Sequence, residues 1–341
     1  MAIFLIGGSN SLFSDGWVNY LKGHIDSEIQ NLSIGASTSL VAIFRFLSED
    51  GPAAGDTVIW EYALNEVTHE TKGYPTETLL RNLERLLRLC RERGCKFAPV
   101  IMCPKVQELA EVRSEYFTLI HQLFDSYGIE YFDVSSEYRA LHNIENMPAD
   151  HYSDRAHYNK ENVDLMEFCA AGCGRIVKTA RVPKDIPPLR TAQTTMRVVN
   201  DFCDETFGNR LLQLPVATLP VEFKAGIAGK LIGAITLCFP DEDSGVLMRV
   251  KNPDQDNQRL RFSTMRRPDV NKPMVKAICL ENIRHGDWQV SVNSEINMTA
   301  AERPGYYYAE PALKAKLKNP KKAPNTKIAG LVVEVPIESV A

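Results

Sequence analysis

The first half of the chain alternates short apolar runs with amphipathic stretches, and few folds accommodate that. The runs fall at 2–6, 28–32, 56–62, 96–103 and 129–134. Between and after them, residues 9–23, 37–49, 75–93, 106–127 and about 159–180 carry apolar side chains at helical spacing. The clearest helix begins near Pro75 and stops at Gly94, with Leu79, Leu80, Leu83, Leu86, Leu87 and Cys90 on one side and Arg and Glu between them. Apolar runs that are not internally alternating suit strands buried on both faces, and helices between them supply the cover. The expectation is an α/β unit with a parallel sheet, whose sites form beyond the carboxyl ends of its strands. Ser9, Gly35 and Asn65 each lie just past such an end.

The pattern changes near the prolines of 183–188, which read as a linker. Beyond it come short β-rich runs at 211–216, 221–225, 231–239, 245–250, 260–264, 274–280, 288–292, 305–309 and 327–335, separated by Gly, Pro, Asp and Asn. Many short strands with turn signals predict a mostly antiparallel β-sandwich, jelly-roll-like. The expected domains are therefore 1–182 and 183–341, the second a possible carbohydrate- or partner-binding module.

Charge narrows the classes of partner. Residues 1–182 hold 17 Lys/Arg against 25 Asp/Glu, and residues 183–341 hold 22 against 18. Neither half is basic enough to predict nucleic-acid binding. The basic run at 314–322 reads as a solvated loop in preference to an anion-binding patch. No run is long and apolar enough to predict a membrane span. The N-terminal residues continue straight into a glycine turn, so they read as a strand and not a signal peptide. The eight cysteines, Cys90, Cys95, Cys103, Cys169, Cys173, Cys203, Cys238 and Cys279, contain no CxxC pair. That predicts reduced thiols and a cytoplasmic location, with no metal site. Tyr306, Tyr307, Tyr308 and Trp288 can stack on sugar rings, although strand packing is the better reading for them.

The chemistry is carried by two distant stretches. Gly7-Gly8-Ser9-Asn10 ends the first strand, and Asp154-Arg155-Ala156-His157 precedes the last helix of the unit. A serine hydroxyl needs a base, an orienter for that base, and donors for the developing oxyanion. His157 can be the base and Asp154, three residues earlier, can set its tautomer. The Ser9 backbone N–H, Gly35 and Asn65 can form the oxyanion hole. Each residue also has a structural reading: Ser9 or Asp154 as a helix N-cap, Asn65 and Gly35 as turn residues, Ser11 as a rival nucleophile. His151 lies near the pair but off its spacing. His24, His69, His121, His142 and His285 have no carboxylate in a useful sequence pattern.

These stretches, taken in order, resemble the SGNH/GDSL hydrolase family over residues 1 to about 180. The Gly-Asp-Ser block is matched by Gly7-Gly8-Ser9-Asn10, the isolated glycine by Gly35, the Gly-x-Asn-Asp block by Ala63-Leu64-Asn65-Glu66, and Asp-x-x-His by Asp154–His157. Gly8 departs from the usual Asp, and Ala63 and Glu66 depart from Gly and Asp. The resemblance implies a flavodoxin-like three-layer α/β/α domain with catalytic Ser9, His157 and Asp154. It also implies an oxyanion hole of Ser9, Gly35 and Asn65. The implied function is ester hydrolysis without metal or cofactor, on a small acyl ester or an acetylated carbohydrate. O-acetyl transfer, with acetyl-CoA as cosubstrate, and a non-catalytic glycan- or protein-binding role are the alternatives.

Overall fold

The computed structural model describes residues 1–208, 212–239, 245–253, 257–263, 273–283, 287–301, 307–308 and 326–337. The chain divides into two compact units: Met1–Thr71 with Leu79–Thr191, and Lys72–Thr78 with Ala192–Ala341.

In the first unit the apolar runs form five strands: β1 (Ile3–Gly7), β2 (Ile29–Asn31), β3 (Thr57–Glu61), β4 (Lys96–Ile101) and β5 (Phe132–Asp133). The helices are α1 (Trp17–Leu21), α2 (Ser39–Phe46), α3 (Ala63–Glu70), α4 (Thr76–Arg93), α5 (Lys105–Glu108), α6 (Glu115–Ser126), α7 (Val134–His142) and α8 (Val163–Thr179). All strand pairs are parallel and the order is β2-β1-β3-β4-β5. That is the flavodoxin-like order, in which the chain reverses its direction of travel between β1 and β3. Along β1 and β3 the side chains alternate. Ile3, Leu5 and Ile59 join a core with Trp17 and Leu21 of α1 and Leu165, Cys169, Cys173 and Ile176 of α8. Phe4, Ile6, Val58 and Trp60 are buried on the opposite face. Both faces are therefore covered, as continuous apolar strands require.

Three local expectations fail for identifiable reasons. The stretch 9–23 is not one helix: a 3-10 turn (Ser9–Leu12) and α1 are separated by Phe13-Ser14-Asp15-Gly16, whose turn-forming residues interrupt the helical spacing. The stretch 106–127 splits into α5 and α6, because Ser114 starts a new helix by accepting the Tyr116 N–H at 3.1 Å. The run 129–134 is strand only at Phe132–Asp133, and its end is captured by α7, which Asp133 caps through the Ser136 N–H at 2.9 Å. In α4 the expected apolar positions are buried, but so are Asn82, Glu84, Arg85 and Arg88. Glu84 accepts the Tyr127 hydroxyl at 2.9 Å and the N–H groups of Leu189 and Arg190 at 2.7 and 2.8 Å. These bonds tie the proline-rich stretch to the first unit, which runs to Thr191 where the sequence suggests an end at 182.

The second unit is built from β6 (Thr194–Val199), β7 (Glu205–Gly208), β8 (Gln213–Thr218), β9 (Val221–Lys224), β10 (Gly229–Cys238) and β11 (Gly245–Lys251). It continues with β12 (Gln258–Ser263), β13 (Met274–Cys279), β14 (Gln289–Val290), β15 (Glu295–Ala301), β16 (Tyr307–Tyr308) and β17 (Lys327–Pro336). One sheet runs β13-β10-β17-β8-β7, with β14 on β10 and β6 on β17; the other runs β16-β12-β11-β15-β9. Pairings are antiparallel except β12 with β16. If β8 to β13, β15 and β17 are counted one to eight, the sheets read 6-3-8-1 and 5-4-7-2. That is the jelly-roll connectivity. Leu231, Ala234 and Leu331 of one sheet meet Val246, Met248, Phe262 and Ile296 of the other in a single apolar core. Trp288 belongs to that core, so packing explains it. Tyr306 and the 314–322 run lie outside the described residues, as do residues 211, 264, 305 and 309 of the expected strands.

Candidate active site

The residues singled out at the strand ends and before α8 converge at the β1/β3 reversal. β1 ends at Gly7, and the 3-10 turn begins at Ser9 with Gly8 in extended backbone before it. The loop that carries His157 closes as a tight hairpin: Ser153 N–H donates to His157 O at 3.0 Å, Asn159 N–H to His151 O at 2.8 Å, and Tyr152 bridges Tyr158. Two contacts bring this loop to the serine turn, 148 residues away in sequence. The Ser9 hydroxyl lies 2.7 Å from His157 Nε2, and Asn10 Oδ1 accepts the Tyr158 N–H at 3.1 Å. Asn10 is buried, so residues directly after Ser9 and directly after His157 are joined. The Phe13 ring stands edge-on to the His157 ring, with centroids 5.7 Å apart.

Behind the imidazole, His157 Nδ1 lies 2.7 Å from Asp154 Oδ2. Asp154 Oδ1 accepts the backbone N–H groups of Ala156 and His157 at 2.7 and 2.8 Å. Partial burial pushes the Asp154 carboxyl up. The two backbone donors and the His157 side chain outweigh that and hold it below the usual carboxylate range. An ionised carboxylate can only accept, so Nδ1 carries the ring proton and Nε2 is left to accept from the serine hydroxyl. The sequence reading of Asp154 as a cap and as an orienter are both visible: one oxygen caps the local turn, the other holds the ring.

The three candidate oxyanion donors also gather here. Gly35 packs against Ser9, since a Cβ built on it falls 3.4 Å from Ser9 Cβ. Its neighbour Ala36 is held at φ +55, a conformation that disfavours any side chain. Asn65 lies over Gly8: a Cβ on Gly8 would fall 2.0 Å from Asn65 Oδ1. Among the described residues, the N–H groups of Ser9 and Gly35 and the Asn65 amide have no hydrogen-bond partner.

The other candidates stand apart. Ser11 is buried and donates its hydroxyl to Glu61, and among the described residues no histidine bonds to it. His151 bonds Tyr138 at 2.8 Å and Asp150 at 3.1 Å. His24 and His121 do meet carboxylates, Glu167 at 2.6 Å and Asp133 at 3.1 Å, contributed by elements that the sequence pattern did not connect. Neither pair has a serine beside it among these contacts. His285 lies outside the described residues. All eight cysteines carry free thiols.

Two buried carboxyl groups beside the site, Glu61 and Glu66, make contacts that the sequence reading did not assign to either. Glu61 ends β3, and its Oε2 accepts the Gly8 N–H at 3.0 Å and the Ser11 hydroxyl at 2.8 Å. Glu66, at the position where the family pattern has Asp, accepts the Ser39 N–H at the start of α2 at 2.7 Å and the Tyr116 hydroxyl. Burial pushes each carboxyl up to about 7 against those hydrogen bonds. The signal for Glu61 is a charged residue closing a run otherwise apolar enough to be buried on both sides.

No family model and no curated protein matches the sequence. Among solved structures the chain is similar to a two-domain esterase (CEX) active on acetylated mannans. The identity is 13% and the TM-score 0.55, over 98% of this chain and 91% of that one. The likeness shows the fold: an α/β/α unit followed by a β-sandwich. Similarity also extends over 52% of this chain and 100% of an acetyl xylan esterase, AlAXEase, at 16% identity and TM-score 0.44. A member of the lipolytic G-D-S-L family from Veillonella parvula is similar at 14% identity and TM-score 0.41, over 50% of this chain and 96% of that one.

Proposed function

We propose that the protein is a serine esterase that removes O-acetyl groups from carbohydrates, with Ser9 as nucleophile, His157 as general base and Asp154 as its orienter. The observation that carries the reading is the unbroken relay from Ser9 Oγ through both ring nitrogens of His157 to Asp154, each link 2.7 Å. A base within hydrogen-bond reach and fixed in tautomer is what a serine hydroxyl lacks by itself. Ser9 attacks the ester carbonyl as its proton passes to Nε2. Asp154 stabilises the imidazolium that forms. The negative charge on the carbonyl oxygen is met by the unpartnered donors of Ser9, Gly35 and Asn65. The imidazolium then returns its proton to the departing alcohol, leaving an acetyl-enzyme. A water, deprotonated by His157, releases acetate and restores Ser9. No metal or cofactor is needed for these steps, and acetyl-CoA has a place only if a sugar hydroxyl replaces water as the final acceptor.

The carbohydrate acetyl substrate is supported by the shared two-unit fold with an esterase active on acetylated mannans, and by the SGNH/GDSL resemblance of the four blocks. The test is release of acetate from acetylated manno- and xylo-oligosaccharides, run beside p-nitrophenyl acetate and a fluorophosphonate label. Activity and labelling in the wild type, both lost in Ser9→Ala and reduced by about 10³-fold or more in His157→Ala, are the expected result. A folded wild type that neither hydrolyses these esters nor takes the label would leave a non-catalytic binding role. Turnover that requires acetyl-CoA would identify a transferase.

A further inference from the structure

The serine turn rests on a carboxyl group that the hydrolysis does not use. Glu61 is fully buried at the end of β3. Its Oε2 is the shared acceptor of two donors that flank Ser9, the Gly8 N–H on one side and the Ser11 hydroxyl on the other. The Gly8 N–H also reaches the Glu61 backbone carbonyl at 3.0 Å, so Gly8 is held twice by one residue. The end of β1 presses on the same group: a Cβ on Gly7 would fall 2.9 Å from Oε2 and 3.0 Å from Glu61 Cβ. The second oxygen, Oε1, is buried without a partner, and among the described residues no Lys, Arg or His pairs with the carboxyl. An unpaired anion is costly in such a place, whereas an acid protonated on Oε1 leaves Oε2 as a carbonyl able to accept both bonds. The upward displacement of this carboxyl to about 7 agrees with that form.

We propose that Glu61, as an uncharged acid, is a positioning residue for Ser9, holding the chain on each side of the nucleophile from beneath through a single oxygen, by the Gly8 N–H before it and the Ser11 hydroxyl after it. The inference rests on the esterase reading. Ser9 must present its hydroxyl to His157 and its own N–H to the oxyanion at once, and the Gly8–Ser9 peptide sets both directions. A loosened turn therefore costs turnover more than ground-state binding, because the hydroxyl and the N–H it aims act on the reacting carbonyl.

The experiment compares wild type, Glu61→Gln, Glu61→Ala, Ser11→Ala and Ser9→Ala for kcat and KM on p-nitrophenyl acetate and for the fluorophosphonate labelling rate per folded molecule. Gln keeps the accepting oxygen and the neutral charge, so kcat within about threefold of wild type is expected. Ala removes the acceptor, and misplacement of the nucleophile predicts a loss of about 10²-fold in kcat and in labelling, with KM changed by less than about twofold. Should Glu61→Ala not fold, Ser11→Ala decides. It removes one of the two donors and is expected to lower kcat by about threefold to tenfold at unchanged KM. Wild-type kcat in a folded Glu61→Ala, or in Ser11→Ala when that variant decides, overturns the proposal. A Gln variant as weak as the Ala variant overturns the uncharged acid. A wild type with no Ser9-dependent labelling removes the esterase reading itself and this inference with it, a result no comparison among the Glu61 variants can mimic.

Discussion

Restoring the residue that the family pattern has at the second position of its first block should disable the protein. A Cβ at position 8 falls 2.0 Å from Asn65 Oδ1 and 2.9 Å from Asn65 Cγ. Non-bonded heavy atoms gain contact energy only at about 3.5–4.0 Å, so one partner must retreat by about 1.5 Å or more. Gly8 cannot retreat easily, because its N–H is held by both the carbonyl and the carboxyl of Glu61 at 3.0 Å. The Asn65 amide must therefore swing away. If that amide is an oxyanion donor, its loss costs about 10²–10³-fold in kcat, or ~2.7–4 kcal/mol of transition-state stabilisation. The overpacking itself costs ~1–3 kcal/mol of folding stability. The clash begins at the Cβ, so Gly8→Ala suffices to test it and Gly8→Asp is expected to be no better. A double-mutant cycle isolates the cause. Asn65→Ala alone loses the donor and also removes the atoms in conflict, so adding Gly8→Ala to it should cost nothing further in kcat. The two effects are then strongly non-additive. The assay is kcat on p-nitrophenyl acetate for the four proteins, with urea unfolding to report stability. Gly8→Ala within about threefold of wild type, or two single losses that simply add, would refute the argument that Asn65 is placed by the absence of a side chain at Gly8.

Two further outcomes follow from the site's buried hydrogen bonds. Asn10→Ala strands the Tyr158 N–H without its acceptor and unties the histidine loop from the serine turn; stability should drop by ~1–3 kcal/mol in urea, with a parallel fall in kcat. Glu66 ionises near 4.5 when exposed and near 7 when folded, because burial outweighs its bonds to Tyr116 and Ser39. The folded state thus binds more protons across that interval. The contribution of Glu66 to stability should decline by up to about 3 kcal/mol as pH rises from about 4.5 to 7 and level off above it, on top of a like contribution from Glu61. Urea midpoints measured through that range should show a shallower decline in Glu66→Gln than in wild type. An equal slope would mean that Glu66 titrates normally.

The parts of the fold that could be read in advance are those where one periodicity prevails. The β-α alternation of the first unit is visible because the central strands β1, β3 and β4 are apolar runs buried on both faces and the helices between them carry apolar side chains at helical spacing. Strand order could not be read, since nothing in the run Ile3–Gly7 distinguishes β2 from β4 as a neighbour. In the second unit β6, β7 and β15 escaped notice for a different reason. In β15 the buried Ile296 and Met298 alternate with Glu295, Asn297 and Thr299, a period-2 pattern diluted by polar residues on the open face. The lone Phe207 of β7 gives less still. Such strands are specified mainly by their partners, as Thr194–Val199 is by β17.

For the site, the sequence supplies the groups that would act on the substrate but not those that hold them. Ser9, His157, Asp154, Gly35 and Asn65 could be named because each belongs to a short pattern at a strand end or helix start. Asn10, Glu61 and Glu66 each accept a backbone N–H of another element, and a backbone N–H leaves no mark on the sequence of its partner. Two of the three departures from the family pattern, Gly8 and Glu66, become intelligible together in these terms. A bare Gly8 leaves the room that Asn65 occupies. The longer carboxyl of Glu66, one residue further along α3, spans to the Ser39 N–H that begins α2 and so braces the end of the Gly35 loop. A short acid at position 8 would collide with Asn65, and a short acid at position 66 would have to reach Ser39 and Tyr116 with one methylene fewer. Residues that look like losses of a motif are, in this chain, the packing terms that keep its remaining members in place.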